Sequence, residues 1–358
     1  FCLSRGLGDV YKRQLQARAA AGGAPISILS CDNLSSNGAH TEKLVREFLH
    51  ELPGSEGADA LAFLDRSVSF PSSMVDRIVP STTAELRTRV SALLGATDDI
   101  PVPAEPFTMW AIEDRFAGGR PAWEAGGAVF TDEVGRYEQM KVRLLNGTHS
   151  LIAYLGALSG VGTIPEAIGL DGIESAARAV LRDEYEPSIE VPSGVDIRAY
   201  ESELFERWAN SALGHRTSQV GTDGSVKLRQ RIPEPAMLAI RNGGMPHLIA
   251  LTVAGYLSCL APLPGFDPGP HAAAMTDGAR ERLAGYAASA RDGRELAQRV
   301  IGELHLFGDE LGSQDAFITR VGELVDTIQR RGVDTAIADA VSASQTTSSL
   351  TGAEEMQP

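Results

Sequence analysis

Lys141, Asn146 and His149 stand in the frame K-x4-N-x2-H within YEQMKVRLLNGTHS (137–150). The frame gathers an amine that can take or give a proton, a carboxamide that can donate hydrogen bonds, and an imidazole. On a helix advancing about 100° per residue, Glu138, Lys141, Leu145 and His149 fall on one side. Asn146-Gly147 then predicts a break or kink. A face built for packing alone would not collect such polar groups, because each needs a hydrogen-bond partner once buried. The indicated chemistry is proton transfer to or from an alcohol oxygen.

Oxidising a secondary alcohol removes the hydroxyl proton while a hydride leaves carbon, and the reverse reduces a ketone. An amine in that role must exchange its proton near neutral pH, which burial or nearby positive charge favours. Most lysines are solvated, but the polar neighbours of Lys141 on the same helical side favour chemistry. His149 is placed to orient a substrate hydroxyl or the Lys141 amine. Glu138, one turn before Lys141, either relays protons to solvent or supports the helix surface. His40, His50, His215, His247, His271 and His305 show no shared metal-ligand spacing, so no metal is expected. In and just before the loop 217–231, the set Arg216, Lys227, Arg229 and Arg231 would suit a carboxylate, which a guanidinium can grip through two hydrogen bonds. A solvated charged face is the competing reading.

The elements that must carry these residues change character along the chain. PISILSC (25–31), SVSFP (67–71) and FTMWAIED (107–114) read as strands, and 41–52 and 82–95 as helices, the second with a Thr cap. That alternation implies an α/β layer. Beyond Asp132 nearly every segment reads helical: 133–145, 148–159, 172–183, 196–212, 234–241, 246–261, 277–290, 293–305 and 315–331. The loop 217–231 is expected as a Gly-rich turn with a basic run. Residues 342–358 are polar and are expected to be a disordered tail. The organisation is therefore an α/β domain over 15–132 and a helical substrate and catalytic domain over 133–341.

The 358 residues, 43% hydrophobic and 22% charged, describe an ordinary globular chain long enough for two domains. A net charge of −15 argues against nucleic acid, whose phosphates want a basic face. The most apolar run, PHLIALTVAGYLSCL (246–260), is shorter than the ~20 residues that span a bilayer, so a buried helix is expected and no membrane partner. Scattered cysteines without CxxC spacing, and no secretory signal, point to reduced thiols and a cytoplasmic setting. FCLSRGLGDVYKRQ (1–14) has no apolar period or cap, and DVYKRQ matches a translated sequencing adapter. This stretch is expected to be an artefact rather than structure.

SCDNLSSNG (30–38), FPSSMVDRIVP (70–80), EPFTMWAIEDRFAGGRPAWE (105–124) and YEQMKVRLLNGTHS (137–150) together resemble the polyol-specific long-chain dehydrogenases, the mannitol dehydrogenase family. HRTSQVGTDGSVKLRQR (215–231) is most similar to that family's fructuronate reductase branch. The resemblance covers about residues 25–340. It implies a Rossmann-type cofactor domain followed by a mostly α-helical domain, NAD as cofactor with NADP as the alternative, and no metal. It implies Lys141 as general acid/base, Asn33 and Asn146 as the oxyanion pocket, and Asp76 and Lys227 as substrate contacts. Asn37-Gly38 better fits a turn or cap, so Asn33 is preferred over Asn37. The family's Gly-rich phosphate turn has no counterpart here: no G-x-G-x-x-G occurs, and Gly160-Val161-Gly162 follows a helix. The expected fold is thus a partial Rossmann domain lacking its front half. The expected substrate is a sugar acid, the D-fructuronate/D-mannonate pair. A neutral polyol or a non-catalytic helical module are the alternatives.

Overall fold

The computed structural model describes residues 7–52 and 55–354. The chain forms two compact units, Phe1–Val79 with Ala104–Glu138, and Pro80–Pro103 with Gln139–Pro358.

In the first unit, β1 (Ile26–Ser27) pairs in parallel with β2 (Val68–Ser69). Parallel strands require a crossover, and helices Asn37–His50 and Ser55–Ser67 provide it. Their apolar faces bury Leu49, Ala60, Phe63 and Leu64 with Phe70. β3 (Ser73–Asp76) runs antiparallel to β4 (Met109–Ile112), which pairs in parallel with β5 (Ala128–Phe130). The 25–31 run is far less regular than expected: only two residues ladder, and the rest is the loop that carries Asn33. The MVDR stretch, expected as a loop, supplies β3. Helix Ser55–Ser67 and β5 carry too little periodicity to be read from sequence.

The stretch expected to be an artefact, residues 1–14, runs into a helix. Residues 1–6 lie outside the described residues, but Leu7–Ala20 is a helix whose Leu15 is buried against Leu49 and Phe63. Its anchorage rests on Leu15 with Ala19, too sparse a stripe to show as a period.

The second unit is helical. Every residue from Leu248 to Leu260 in helix His247–Leu260 is buried, beneath helices Thr148–Leu158 and Asp315–Arg331. Among the described residues no helix is long and apolar enough to cross a membrane. Thr83 caps helix Ala84–Leu94 by accepting the Leu86 N–H at 3.2 Å, as its position predicts. Two expectations are corrected. The 217–231 segment is two helices, Thr217–Gly221 and Gly224–Arg231, hinged at Asp223 with φ 56°. Residues 342–354 of the expected tail continue helix Val333–Glu354, whose Ala336, Ile337, Ala340 and Ser344 are buried at helical spacing, and 355–358 lie outside the described residues. Small residues scattered among Ser and Thr hid that stripe.

Glu184 anchors the central helix. Its carboxylate accepts the Leu248 and Ile249 N–H groups at 2.8 and 2.6 Å, satisfying two donors that a helix start leaves open. Burial nevertheless pushes its pKa up to about 8, against the opposing pull of those two hydrogen bonds. A carboxyl whose folded pKa is raised binds its proton more tightly when native. Its contribution to stability is therefore lost as pH rises from the unfolded value, near 4.5, through about 8. Glu184→Gln removes this linkage. Urea unfolding should show the stability difference shifting toward the variant by up to about 1.4 kcal/mol per pH unit across that window. A pH-independent difference would exclude Glu184 as the linked group.

Candidate active site

Three expected site residues belong to the first unit. Asn33 is exposed on the loop following β1, its main-chain N–H held by Asp32 Oδ1 at 2.9 Å. Asn37, by contrast, is 1% exposed and wholly engaged in structure. Its amide donates to the carbonyls of Ser30, Asp32 and Ser73, and its oxygen accepts the Ser73 N–H at 2.9 Å. It is a brace between the Asn33 loop and β3 rather than a simple turn residue. Gly38 beside it must lack a side chain, because a Cβ would lie 2.4 Å from the Phe70 carbonyl.

Glu138 is largely buried, 9% exposed, more than a helix-surface support would be. The Ser36 N–H donates to both its carboxylate oxygens at 3.1 Å, holding Ser36 in the left-handed region at φ 50°. The carboxylate thus ties down the loop three residues from Asn33. Asp76 ends β3, paired in register with Met109, and is 2% exposed. Arg77 turns its Nε to the Glu105 carbonyl at 2.8 Å.

The second unit holds Lys141, Asn146 and His149 in one continuous helical run. Asn146-Gly147 does not break it. Helix Val134–Met140 instead widens to a π-turn over Lys141–Gly147 and resumes as Thr148–Leu158. The widening matters for chemistry. In an α-helix, residues five apart point well away from one another, whereas i→i+5 winding stacks them on one side. Lys141 and Asn146 are five apart. The π-turn therefore brings positions 141 and 146 toward one side of the helix, which α-helical periodicity could not do. Gly147 permits it by close approach: a Cβ there would lie 2.5 Å from Cζ of Tyr185.

Around this turn sit buried polar groups. Lys141 is 8% exposed and His149 5%. His149 Nε2, Thr148 Oγ1, Tyr185 OH and Trp208 Nε1 have no partner among the described residues. The His149 ring meets His215 edge-on, centroids 5.1 Å apart, and lies 6.0 Å from Trp208. Burial first, then His215 and Arg231, hold His149 well below the usual imidazole range. Burial, helped by Lys227, pulls His215 down to about 4. Both rings are neutral at neutral pH, so His149 can accept or donate through its open nitrogen.

The four-residue basic set divides. Arg216 and Arg229 are exposed, while Lys227 and Arg231, one turn apart, face inward. Lys227 Nζ donates to the Val220 carbonyl at 3.3 Å. Arg231 Nη1 donates to the Asn146 carbonyl at 3.0 Å and to Ser150 Oγ at 2.8 Å. Burial lowers the pKa of both cations, and for Lys227 Arg231 adds to the effect. Among the described residues neither cation has a carboxylate within ion-pairing distance. His215 and Trp208 escaped the sequence reading because only the fold brings them to His149. Among the described residues no cluster of His, Cys, Asp and Glu is placed to hold a metal ion.

Residues 5–125 match the mannitol dehydrogenase Rossmann domain and residues 133–329 the mannitol dehydrogenase C-terminal domain. The chain belongs to the mannitol dehydrogenase family, with a Rossmann-type N-terminal domain and a helical C-terminal domain. It is 35% identical over 324 residues to D-mannonate oxidoreductase of Escherichia coli K12, covering 90% of this chain and 65% of that protein. It is 39% identical over 246 residues to D-arabinitol 4-dehydrogenase of Ralstonia nicotianae, covering 69% of this chain and 52% of the relative. Among solved structures it resembles Pseudomonas fluorescens mannitol 2-dehydrogenase in ternary complex with NAD and D-mannitol, with TM-score 0.78 and 30% identity. That match covers 92% of this chain and 65% of the other. The chain thus spans about two thirds or less of the length of these relatives.

Proposed function

We propose that this chain acts in an NAD-dependent, metal-independent oxidoreductase that interconverts a secondary alcohol and a ketone of a sugar acid, the D-fructuronate/D-mannonate pair. The 35% identity to D-mannonate oxidoreductase supports the reaction type. The observation that carries the acid over a neutral polyol is the pair Lys227 and Arg231. Two inward cations with no carboxylate in ion-pairing distance, Lys227 being opposed only by the more distant Asp223 and Asp277, are costly, and a substrate carboxylate offsets that cost.

The loop after β1 lies at the carboxyl end of a parallel strand, where open α/β sheets take their ligands. Exposed Asn33 on that loop fits the reacting end of a dinucleotide cofactor. NAD, with NADP as the alternative, supplies hydride transfer when bound. The chain's own residues manage the proton and the charge. In the reducing direction Lys141 gives its proton to the ketone oxygen, and in the oxidising direction it takes the hydroxyl proton. Asn33 and Asn146 donate hydrogen bonds to that oxygen as it becomes anionic, each contributing roughly 3 kcal/mol in comparable sites. His149 Nε2 orients a neighbouring substrate hydroxyl, Asp76 a further one, and Lys227 the carboxylate, with Arg216 at the exposed margin. Glu138 passes the proton onward to solvent. The exposed Cys31 thiol and the buried Cys259 thiol, both free, suit a cytoplasmic setting.

A mannitol 2-dehydrogenase type of activity on neutral polyols is the second reading, favoured by the likeness to the D-mannitol complex. Steady-state kinetics on the complete reading frame separate the two. We expect kcat/KM for D-fructuronate to exceed that for D-fructose at least about a hundredfold, the effect of one well-made charged contact. Preference for fructose overturns the acid assignment. Failure to bind either nicotinamide cofactor leaves a non-catalytic helical module.

A further inference from the structure

From outside its own helix the turn is held by Arg143 pairing with Glu234 and donating to the Ser188 carbonyl, by Tyr185 seated on Gly147, and by Arg231, the side chain that grips the main chain of Asn146. Arg231 closes helix Gly224–Arg231, whose start is fixed where Asp277 Oδ2 accepts the Ser225 N–H at 2.8 Å. From that rigid base, Nη1 reaches across 85 positions of sequence to the Asn146 carbonyl at 3.0 Å and Ser150 Oγ at 2.8 Å. Ser150 Oγ donates to the same Asn146 carbonyl at 3.0 Å, which closes a three-cornered node. Nothing comparable is made by the exposed Arg229 on the opposite side of the same helix.

We propose that Arg231 is the positioning residue for the Asn146 end of the π-turn, and that it links occupancy of the anion seat to the placement of the oxyanion amide. A guanidinium is planar, and its five donors keep fixed directions. Nη1 serves the main chain of Asn146, while Nε and Nη2 have no partner among the described residues. A carboxylate gripped by those free donors therefore fixes the plane, and with it the angle at which Nη1 holds the Asn146 carbonyl. The carboxamide of Asn146 follows its own backbone. An acid substrate thus completes the geometry of the oxygen-binding group as it binds, and a neutral polyol does not. Lysine at this position could supply charge but not both directions at once.

This coupling rests on the sugar-acid reading, whereas the anchoring of the turn does not. Two variants of the complete reading frame test it, Arg231→Lys and Arg231→Met. With no substrate present, hydrogen exchange of the amides in 146–151 should quicken about tenfold or more in both, because local opening governs that exchange. With D-fructuronate, Arg231→Lys should keep KM within about threefold while kcat falls about tenfold or more, the pattern of lost transition-state placement rather than lost binding. A merely structural residue would not produce that split. Unchanged exchange in Arg231→Met, or wild-type kcat in Arg231→Lys, overturns the proposal. If Arg231→Met does not fold, Ser150→Ala removes one arm of the node and should quicken the same amides about threefold; no change there also overturns it. A wild type that prefers fructose, with the exchange result as expected, removes the acid reading and leaves the anchor standing.

Discussion

Lys141→Ala should lower kcat by about 10²–10⁴ on the complete reading frame, the range that a positioned acid or base contributes. Nicotinamide cofactor affinity should remain within a few-fold, because the role proposed for the amine is at the substrate oxygen rather than the cofactor. Lys141→Arg should be nearly as poor, although it keeps the positive charge. A guanidinium does not release its proton at any working pH. The pairing of the two variants matters. A residue that served only as a charge would be rescued by arginine, and one that served only as a helix surface would tolerate alanine. Steady-state rates with a fluorescence titration of the cofactor read both. Alanine-variant turnover within about tenfold of wild type would remove Lys141 as the acid/base. His149→Ala, by contrast, removes a group proposed to orient substrate, and its loss should appear mainly in KM.

The candidate residues stand out in the sequence because three residue types with complementary proton-handling properties sit within one short frame. Their geometry does not. Helical periodicity places Lys141 and His149 on one side and leaves Asn146 off it. No local signal announces the i→i+5 widening, and the close seat of Tyr185 on Gly147 within it is visible only in the fold. The Asn-Gly dipeptide was read as a breaker because glycine usually frees the backbone. Here Gly147 is helical, at φ −62°, and serves close approach instead. The basic run at 216–231 shows a different limit. Read as a loop, its four cations form one set. Read as the helix it is, Lys227 and Arg231 share a side and Arg229 is on the other. Asp223 and Gly224 at the helix start look like turn residues, which concealed the division.

The fold divides along similar lines. The buried helix His247–Leu260 and the Thr83 cap carry their cause locally, in an unbroken apolar run and in a hydroxyl at the right offset. β3 does not. SMVD owes its strand conformation to pairing with Met109–Ile112, and a partner thirty-odd positions away cannot be read from four residues. The sequence sets Asn33 as a functional candidate against Asn37 as a turn or cap. The structural role nevertheless proved to be a four-bond brace. That brace explains why the adjacent Asn33 loop can be exposed and still be held in place, with Glu138 fastening its other end at Ser36.

Gly147→Ala tests whether the π-turn is required. Alanine is the best helix former, so at an open helical position this change should stabilise by about 1 kcal/mol. Position 147 is not open. The new methyl would lie 2.5 Å from Cζ, 2.8 Å from Cε2 and 2.9 Å from the hydroxyl of Tyr185. That ring is fully buried and cannot swing aside as a flexible chain end could. Overpacking of this kind costs about 1–3 kcal/mol, which offsets the propensity gain and leaves a net loss. The larger effect is on turnover. The turn can relieve the clash by rewinding toward i→i+4, and that rotates Asn146 away from Lys141. We expect kcat to fall about a hundredfold, as for loss of one oxyanion donor, with a thermal midpoint lowered by only a few degrees. The companion Tyr185→Ala in the same chain should restore much of the turnover by making room, despite adding a cavity of its own. The two changes then couple with opposite sign, which a double-mutant cycle reads directly. If Gly147→Ala instead melts higher and turns over normally, the amine and the carboxamide do not depend on the widened winding for their alignment.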